Sequence, residues 1–339
     1  MSGNFFDWMH EETNTVWYVD TADIREVMDA LDNHVKGVTT NPLLIARALK
    51  SNIEKRETLL STCPAHITPD EKAEYIVSKT VSEIASLLYP TYEATEGEYG
   101  YVCAQVDPSL ANDRQKMVLM AKRFAALAPN ILVKLPATSA GIDALEECTA
   151  AGINTTGTVS FSFSQMKEIA EHYMRGVRKL PNQSILPKCV VVLMVGRLED
   201  FLVGSLKDRG LAIPHSINYA VEAIGKRAYT DFKALRYPVK ICYSGLRTIG
   251  HCLPFLGSDA ILSISPKMAT TLLTSEIDLN SNIFQPVDEN AIESLRKYAP
   301  FSQMYEPIGL SPDEFYTFGE TQHTLTQFVE SGWNVLKEM

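Results

Sequence analysis

One rhythm constrains this chain more than any other feature: short apolar runs alternate with longer segments of helical periodicity, and there are eight such runs. They are Val16–Asp20, Gly37–Asn41, Gly100–Val106, Ile131–Leu135, Ile153–Phe161, Cys189–Val195, Val239–Ser244 and Ala260–Ser265. Seven of them are near-continuous apolar stretches, as strands covered on both faces should be. Amphipathic segments lie between: Ile24–Leu31, Asp113–Leu127, Gly141–Ala150, Ser164–Arg175, Leu198–Lys207 and Ile217–Leu235. Strand then helix, repeated eight times, predicts an α/β fold, a single (β/α)₈ TIM barrel rather than an open sheet. The helix starts agree. Asp20-Thr21-Ala22-Asp23 and Thr138-Ser139-Ala140-Gly141 set capping side chains ahead of the first helical turn.

The chain has 339 residues, more than the roughly 250 a minimal barrel needs. The surplus is expected as extra helices at both termini and as an insertion after strand two. The insertion covers residues 42–98, with helical stretches Leu43–Glu57 and Pro69–Leu88 broken at Thr62-Cys63-Pro64. A helical extension covers 275–339 and includes the tail Gly319–Met339. One domain over 1–339 is the expectation; an independent module from about residue 275 is the alternative.

Composition excludes several classes. A net charge of −10 without a basic stripe argues against nucleic acid as a partner. The start, MSGNFFDWMHEET, has no basic region followed by an apolar one and does not read as a signal peptide. No apolar run approaches the roughly 20 residues that span a bilayer. Six scattered cysteines, without CxxC or Cys/His pairing, suggest reduced thiols and no zinc site. A cytoplasmic protein is expected, with no metal and no membrane partner.

Where the polar residues fall is more informative. Chemistry in a parallel barrel sits at the C-terminal ends of the strands. Strand one ends in Asp20 and strand two in Thr39-Thr40-Asn41-Pro42. Strand three carries Gln105 and Asp107, strand four Lys134, strand five Thr158. Strand six runs into Arg197, and strand seven into Ser244 and Arg247. Lys134 is the sharpest member, because Ile131-Leu132-Val133-Lys134-Leu135-Pro136 sets an amine among apolar neighbours. The bland reading is a lysine snorkelling from a strand end. In a strand buried on both faces, desolvation instead favours a neutral amine able to attack a carbonyl. Asp20 on a neighbouring strand could then take a hydroxyl proton as a carbon–carbon bond breaks. Asp20 could also be a helix cap; we assign the cap to Asp23 and the chemistry to Asp20. Singly, Arg197 and Arg247 read as surface ion pairs. Together, at equivalent positions, they read as a phosphate site.

These residues resemble a family. Val19-Asp20-Thr21-Ala22-Asp23, Gly37-Val38-Thr39-Thr40-Asn41-Pro42, Val133-Lys134-Leu135-Pro136-Ala137-Thr138 and Gly152-Ile153-Asn154 look like the transaldolase/fructose-6-phosphate aldolase family. Val195-Gly196-Arg197 and Ile264-Ser265-Pro266-Lys267 continue the match in order. The resemblance implies a (β/α)₈ barrel, a lysine Schiff base, sugar phosphates as small-molecule partners and no metal or organic cofactor. By position, Lys134 is similar to the Schiff-base lysine, Asp20 to the proton-transfer aspartate and Asn41 to the asparagine that orients the ketose. Thr158 matches the threonine that holds water, and Arg197 and Arg247 the phosphate arginines. Thr40 and Ser244 join the expected substrate contacts, and a homo-oligomer is the expected assembly.

The departures are specific. Transaldolases carry a glutamate on strand three where this chain has Gln105, as the aldolases do. Met194 stands where the aldolases have tyrosine and transaldolases phenylalanine, and Val192 where the family has serine. Ser244-Gly245-Leu246-Arg247 displaces the phosphate-motif serine by one position. The resemblance implies dihydroxyacetone transfer between sugar phosphates. The alternatives are a lyase releasing free dihydroxyacetone, or a sugar-phosphate-binding barrel with little turnover.

Overall fold

The structure, a computed structural model, describes residues 4–339. Eight parallel strands close into a barrel in sequential order. They are β1 (Val16–Asp20), β2 (Gly37–Thr39), β3 (Tyr101–Gln105), β4 (Ile131–Pro136), β5 (Thr155–Thr158), β6 (Cys189–Met194), β7 (Lys240–Ser244) and β8 (Ile261–Ile264). Helices surround the barrel, and further helices precede and follow it. The (β/α)₈ fold with extra helices is therefore what the chain adopts.

Strand periodicity divides the side chains into two cores. Along β4, Ile131, Val133 and Leu135 pack outward against the helical layer. Leu132 points inward, where it joins Tyr18, Tyr101, Cys103, Val190, Val192, Cys242 and Ile261 in a separate cluster inside the barrel. Lys134 shares Leu132's parity and so faces the barrel axis above that floor.

Several boundaries differ from expectation, each for a local reason. The helix expected over Leu43–Glu57 is two helices, Pro42–Ser51 and Ile53–Ser61. Asn52 divides them, because its side-chain oxygen accepts the Lys55 N–H at 3.0 Å and starts a new helix. The strand expected over Ile153–Phe161 shrinks to Thr155–Thr158, since Val159 turns the chain at φ +55°. That conformation is costly for a β-branched residue, on the order of 1–3 kcal/mol, and it directly follows Thr158 at the strand end. The helix after β6 begins at Val195, which places Arg197 in its first turn.

The insertion and the C-terminal extension meet over one side of the barrel mouth. The Gly319–Phe328 helix leads through a π-helical turn, Val329–Trp333, into Asn334–Glu338. Gly332 lies so close to the Pro42–Ser51 helix that a Cβ there would stand 2.7 Å from the Leu43 nitrogen. The buried Trp333 indole donates to Asp70 Oδ1 at 3.3 Å, and Lys337 pairs with the same carboxylate at 2.5 Å. Asp70 belongs to the long helix Pro69–Ala94. Gln327 and Phe328 are thereby held over the strand ends. Among the described residues, no helix is long and apolar enough to cross a membrane.

Candidate active site

A cavity of about 400 Å³ opens at the C-terminal ends of the strands. Its wall includes Asp20, Asn41, Lys134, Thr158, Arg197, Ser244 and Arg247, so seven of the residues singled out in the sequence share one space. Tyr18, Cys103, Leu132, Val190, Cys242 and Ile261 form its apolar floor.

Lys134 is 7% exposed, and its ammonium or amine nitrogen donates to the Thr40 carbonyl at 3.2 Å. A buried lysine with a backbone carbonyl as its partner, and no carboxylate in ion-pair contact among the described residues, is expensive to keep. Asp20 on β1 is not on a strand adjacent to that of Lys134: β2 and β3 stand between them in the barrel, and both residues line the same cavity. Its carboxylate accepts from Thr39 Oγ1 at 2.8 Å. Thr39 Oγ1 also lies 2.6 Å from Ser263 Oγ. Because Thr39 gives its one proton to Asp20, Ser263 must donate to Thr39. This chain of hydroxyls fixes the carboxylate's orientation. Part of the Asp20 surface faces the cavity, and protein encloses the rest. Burial therefore pushes its carboxyl above the usual aspartate range, and the Lys134 charge and the Thr39 hydrogen bond only partly oppose that.

Asn41 caps the Pro42–Ser51 helix, its side-chain oxygen accepting the Leu44 N–H at 3.0 Å. The cap leaves the amide NH₂ group as a donor toward the cavity. The capping assignment between Asp20 and Asp23 also resolves: Asp23 Oδ1 accepts the Arg25 N–H at 2.9 Å.

The two arginines are brought together by close backbone packing. A Cβ on Gly196 would stand 2.4 Å from the Gly245 carbonyl oxygen and 2.8 Å from Arg247 Nε. Gly245 itself takes φ +67°, a turn that suits glycine. Arg197 bonds to Gln327, lies 3.7 Å from Glu320, and stacks over Phe328 at 5.7 Å. Burial lowers the Arg197 pKa and raises that of Glu320, and each one's charge opposes the shift of the other. Arg247 reaches outward to Asp200 at 2.6 Å. Ser244 makes only a long 3.5 Å contact to the Leu193 carbonyl.

Two expected residues do not line the cavity. Thr40 follows Thr39, and alternation turns its side chain away; it contributes its carbonyl to Lys134, while its buried hydroxyl lacks a partner among the described residues. Gln105 pairs in register with Lys134 and is buried. Its amide oxygen has no hydrogen-bond partner among the described residues, and its side chain is not on the cavity wall. Met194 and Val192 do line it, so β6 offers no hydroxyl there. Sequence reasoning missed Arg47, Gln327 and Phe328, which come from the insertion and the extension rather than from strand ends.

A closed parallel barrel that gathers a buried amine, a desolvated carboxylate and two arginines on one strand-end cavity places its polar groups where barrel enzymes carry theirs. The chain belongs to the Transaldolase/Fructose-6-phosphate aldolase family, which it matches over residues 17–328. It is similar to Transaldolase 1 of Streptomyces avermitilis, 36% identical over 148 residues, or 43% of this chain and 39% of that protein. The transaldolase of Neisseria gonorrhoeae is 32% identical over 213 residues, 61% of this chain and 59% of the relative. That of Thiobacillus denitrificans is 31% identical over 209 residues, 59% of this chain and 58% of the relative. The chain thus spans from about two fifths to three fifths of the length of the curated relatives it matches.

Proposed function

We propose that the protein transfers a dihydroxyacetone unit between sugar phosphates through a Schiff base on Lys134. The observation that carries this reading is the buried, carboxylate-free Lys134 amine facing a cavity that also holds Asp20 and two arginines. Lys134 Nζ adds to the C2 carbonyl of a ketose phosphate, and water leaves as the iminium forms. Asp20 takes the C4 hydroxyl proton, the C3–C4 bond breaks, and its electrons flow into the iminium to give an enamine. The aldose phosphate departs. The enamine then attacks an acceptor aldehyde, the Asp20 proton returns to the new hydroxyl, and water releases the product from the lysine.

Arg197 and Arg247 hold the phosphate, Ser244 borders it, and Asn41 donates to the ketose head. Thr158 is the hydroxyl placed to hold the attacking water. Gln105 lies off the cavity wall, and as an amide it could not accept a proton from such a water as a carboxylate can. Hydrolysis of the enamine is therefore slow, and transfer outruns release.

The test is to supply fructose 6-phosphate with and without an aldose-phosphate acceptor and to follow transferred product and free dihydroxyacetone together. Acceptor-dependent product with little free dihydroxyacetone supports transfer. Free dihydroxyacetone forming as fast as transferred product makes the protein a lyase. No turnover in either arm leaves a binding barrel.

A further inference from the structure

Five charged side chains line the cavity: Asp20, Lys134, Arg47, Arg197 and Arg247. Arg197 has Glu320 beside it and Arg247 has Asp200, both carboxylates lying outside the cavity wall. Arg47 is exposed to solvent while lining the cavity, and it has no ion-pair or hydrogen-bond partner among the described residues. It extends from the Pro42–Ser51 helix, where Leu43, Leu44 and Arg47 share one face at three- and four-residue spacing, and that face forms the cavity wall. An unpaired guanidinium on the wall of a cavity with one carboxylate is free to meet an anion brought by the ligand.

Its position separates it from the phosphate arginines. The Arg47 helix follows β2, Arg197 follows β6 and Arg247 follows β7. In a closed barrel of eight strands, β2 stands opposite β6. Lys134 on β4 lies midway between them. A ketose chain anchored by its phosphate near β6 and β7, with its carbonyl at Lys134, has its remaining end toward β2 and Arg47.

We infer that Arg47 is a specificity-determining residue that reads a second anionic group, on the carbonyl-side end of the substrate, and that the cavity takes ketose bisphosphates. The inference rests on the Schiff-base reading above and adds a substrate class to it. With a phosphate on C1, the lysine amine still condenses with the C2 carbonyl and expels water. The C4 hydroxyl proton still passes to Asp20, and the C3–C4 pair becomes the enamine. The fragment held on Lys134 is then dihydroxyacetone phosphate, and the departing aldehyde carries the other phosphate. A guanidinium suits such a group because it meets phosphate oxygens with two parallel N–H donors.

The experiment compares fructose 6-phosphate with fructose 1,6-bisphosphate in the full chain and in the Arg47→Ala and Arg47→Lys variants. Borohydride trapping read by intact mass reports the adduct with each donor, and kcat/KM reports the preference. Wild type should trap both donors. The preference for the bisphosphate over the monophosphate should fall roughly ten- to a hundredfold in Arg47→Ala, with partial recovery in Arg47→Lys. An unchanged preference overturns the inference, as does a wild type that traps the monophosphate and never the bisphosphate; the Schiff-base reading survives either result. Trapping of neither donor overturns both.

Discussion

The barrel is hollowed at both ends, and the two ends treat charge in opposite ways. At the N-terminal end of the strands, a smaller cavity of about 230 Å³ is bordered by Glu98, Lys188, Lys233, Lys240 and Asp259. There Glu98 pairs with Lys188 and, at 3.8 Å, with Lys240, while Lys233 pairs with Asp259. At the C-terminal end, Lys134 bonds to a carbonyl and Asp20 to a hydroxyl, and neither meets an opposite charge in ion-pair contact among the described residues. One layer of side chains separates these environments: Tyr18, Leu132, Val190 and Ile261 line both cavities. Paired charges at a rim satisfy themselves and stabilise the fold modestly. Unpaired charges inside a barrel cost stability, and on the reading proposed above substrate completes the pairing at that end.

Substitutions at each end test that contrast, and the largest effect belongs to Lys134. Lys134→Ala should abolish turnover and borohydride-trapped adduct while circular dichroism shows an intact barrel. A variant that traps substrate at the wild-type rate would mean that another lysine is the nucleophile.

Asp20→Asn should lower kcat by roughly two to four orders of magnitude, the scale of a lost general acid–base group. It should also stabilise the protein at neutral pH. Burial raises the Asp20 pKa above the ordinary 3.8, so the folded state holds this proton more tightly than the unfolded state. Native stability therefore falls as pH rises from about that ordinary value through the raised one. The variant's Tm should exceed wild type at pH 7, and the gain should shrink as pH drops below the ordinary value. A lower Tm at pH 7 would show that the carboxylate is structural.

Arg197→Ala and Arg247→Ala should each cost roughly ten- to a hundredfold in kcat/KM with a phosphorylated donor, from one lost charge-assisted contact. The loss with unphosphorylated fructose should be smaller. Equal losses on both donors would mean that these arginines support the fold rather than the anion.

The smallest effect should come from the other end. Glu98→Gln removes the carboxylate shared by Lys188 and Lys240, yet half-exposed pairs of this kind are worth about 0–1 kcal/mol. Urea unfolding should register a change within that range, and kcat/KM should stay at the wild-type value. A large activity loss would erase the distinction between the two ends.

How much of this was legible in the sequence follows from where each signal lives. Val16–Asp20 is found at its exact bounds because apolar run and polar stop coincide there. Lys134 stood out because nothing apolar in Ile131–Leu135 accounts for an amine. The polarity of the Thr39-Thr40-Asn41 run alone does not separate its members: alternation sends Thr39 inward to Asp20 and Thr40 outward, so only the carbonyl of Thr40 reaches the site. Gln105 has the parity of Cys103 and still does not reach the cavity wall, which a one-dimensional pattern cannot reveal. Arg47, Gln327 and Phe328 carried no local signal at all. Arg47 sits a helical turn beyond the strand-end run, and the place of Gln327 and Phe328 depends on Gly332 and Trp333 docking the extension against the insertion, a long-range contact between two ordinary amphipathic helices.

The most direct measurement is to reduce the wild-type protein with borohydride in the presence of fructose 6-phosphate, digest it, and locate the adduct by peptide mass. A single modified peptide containing Lys134 is expected, with a mass increment matching a reduced ketose or dihydroxyacetone adduct. Modification of any other lysine, or none while substrate is being consumed, would contradict it.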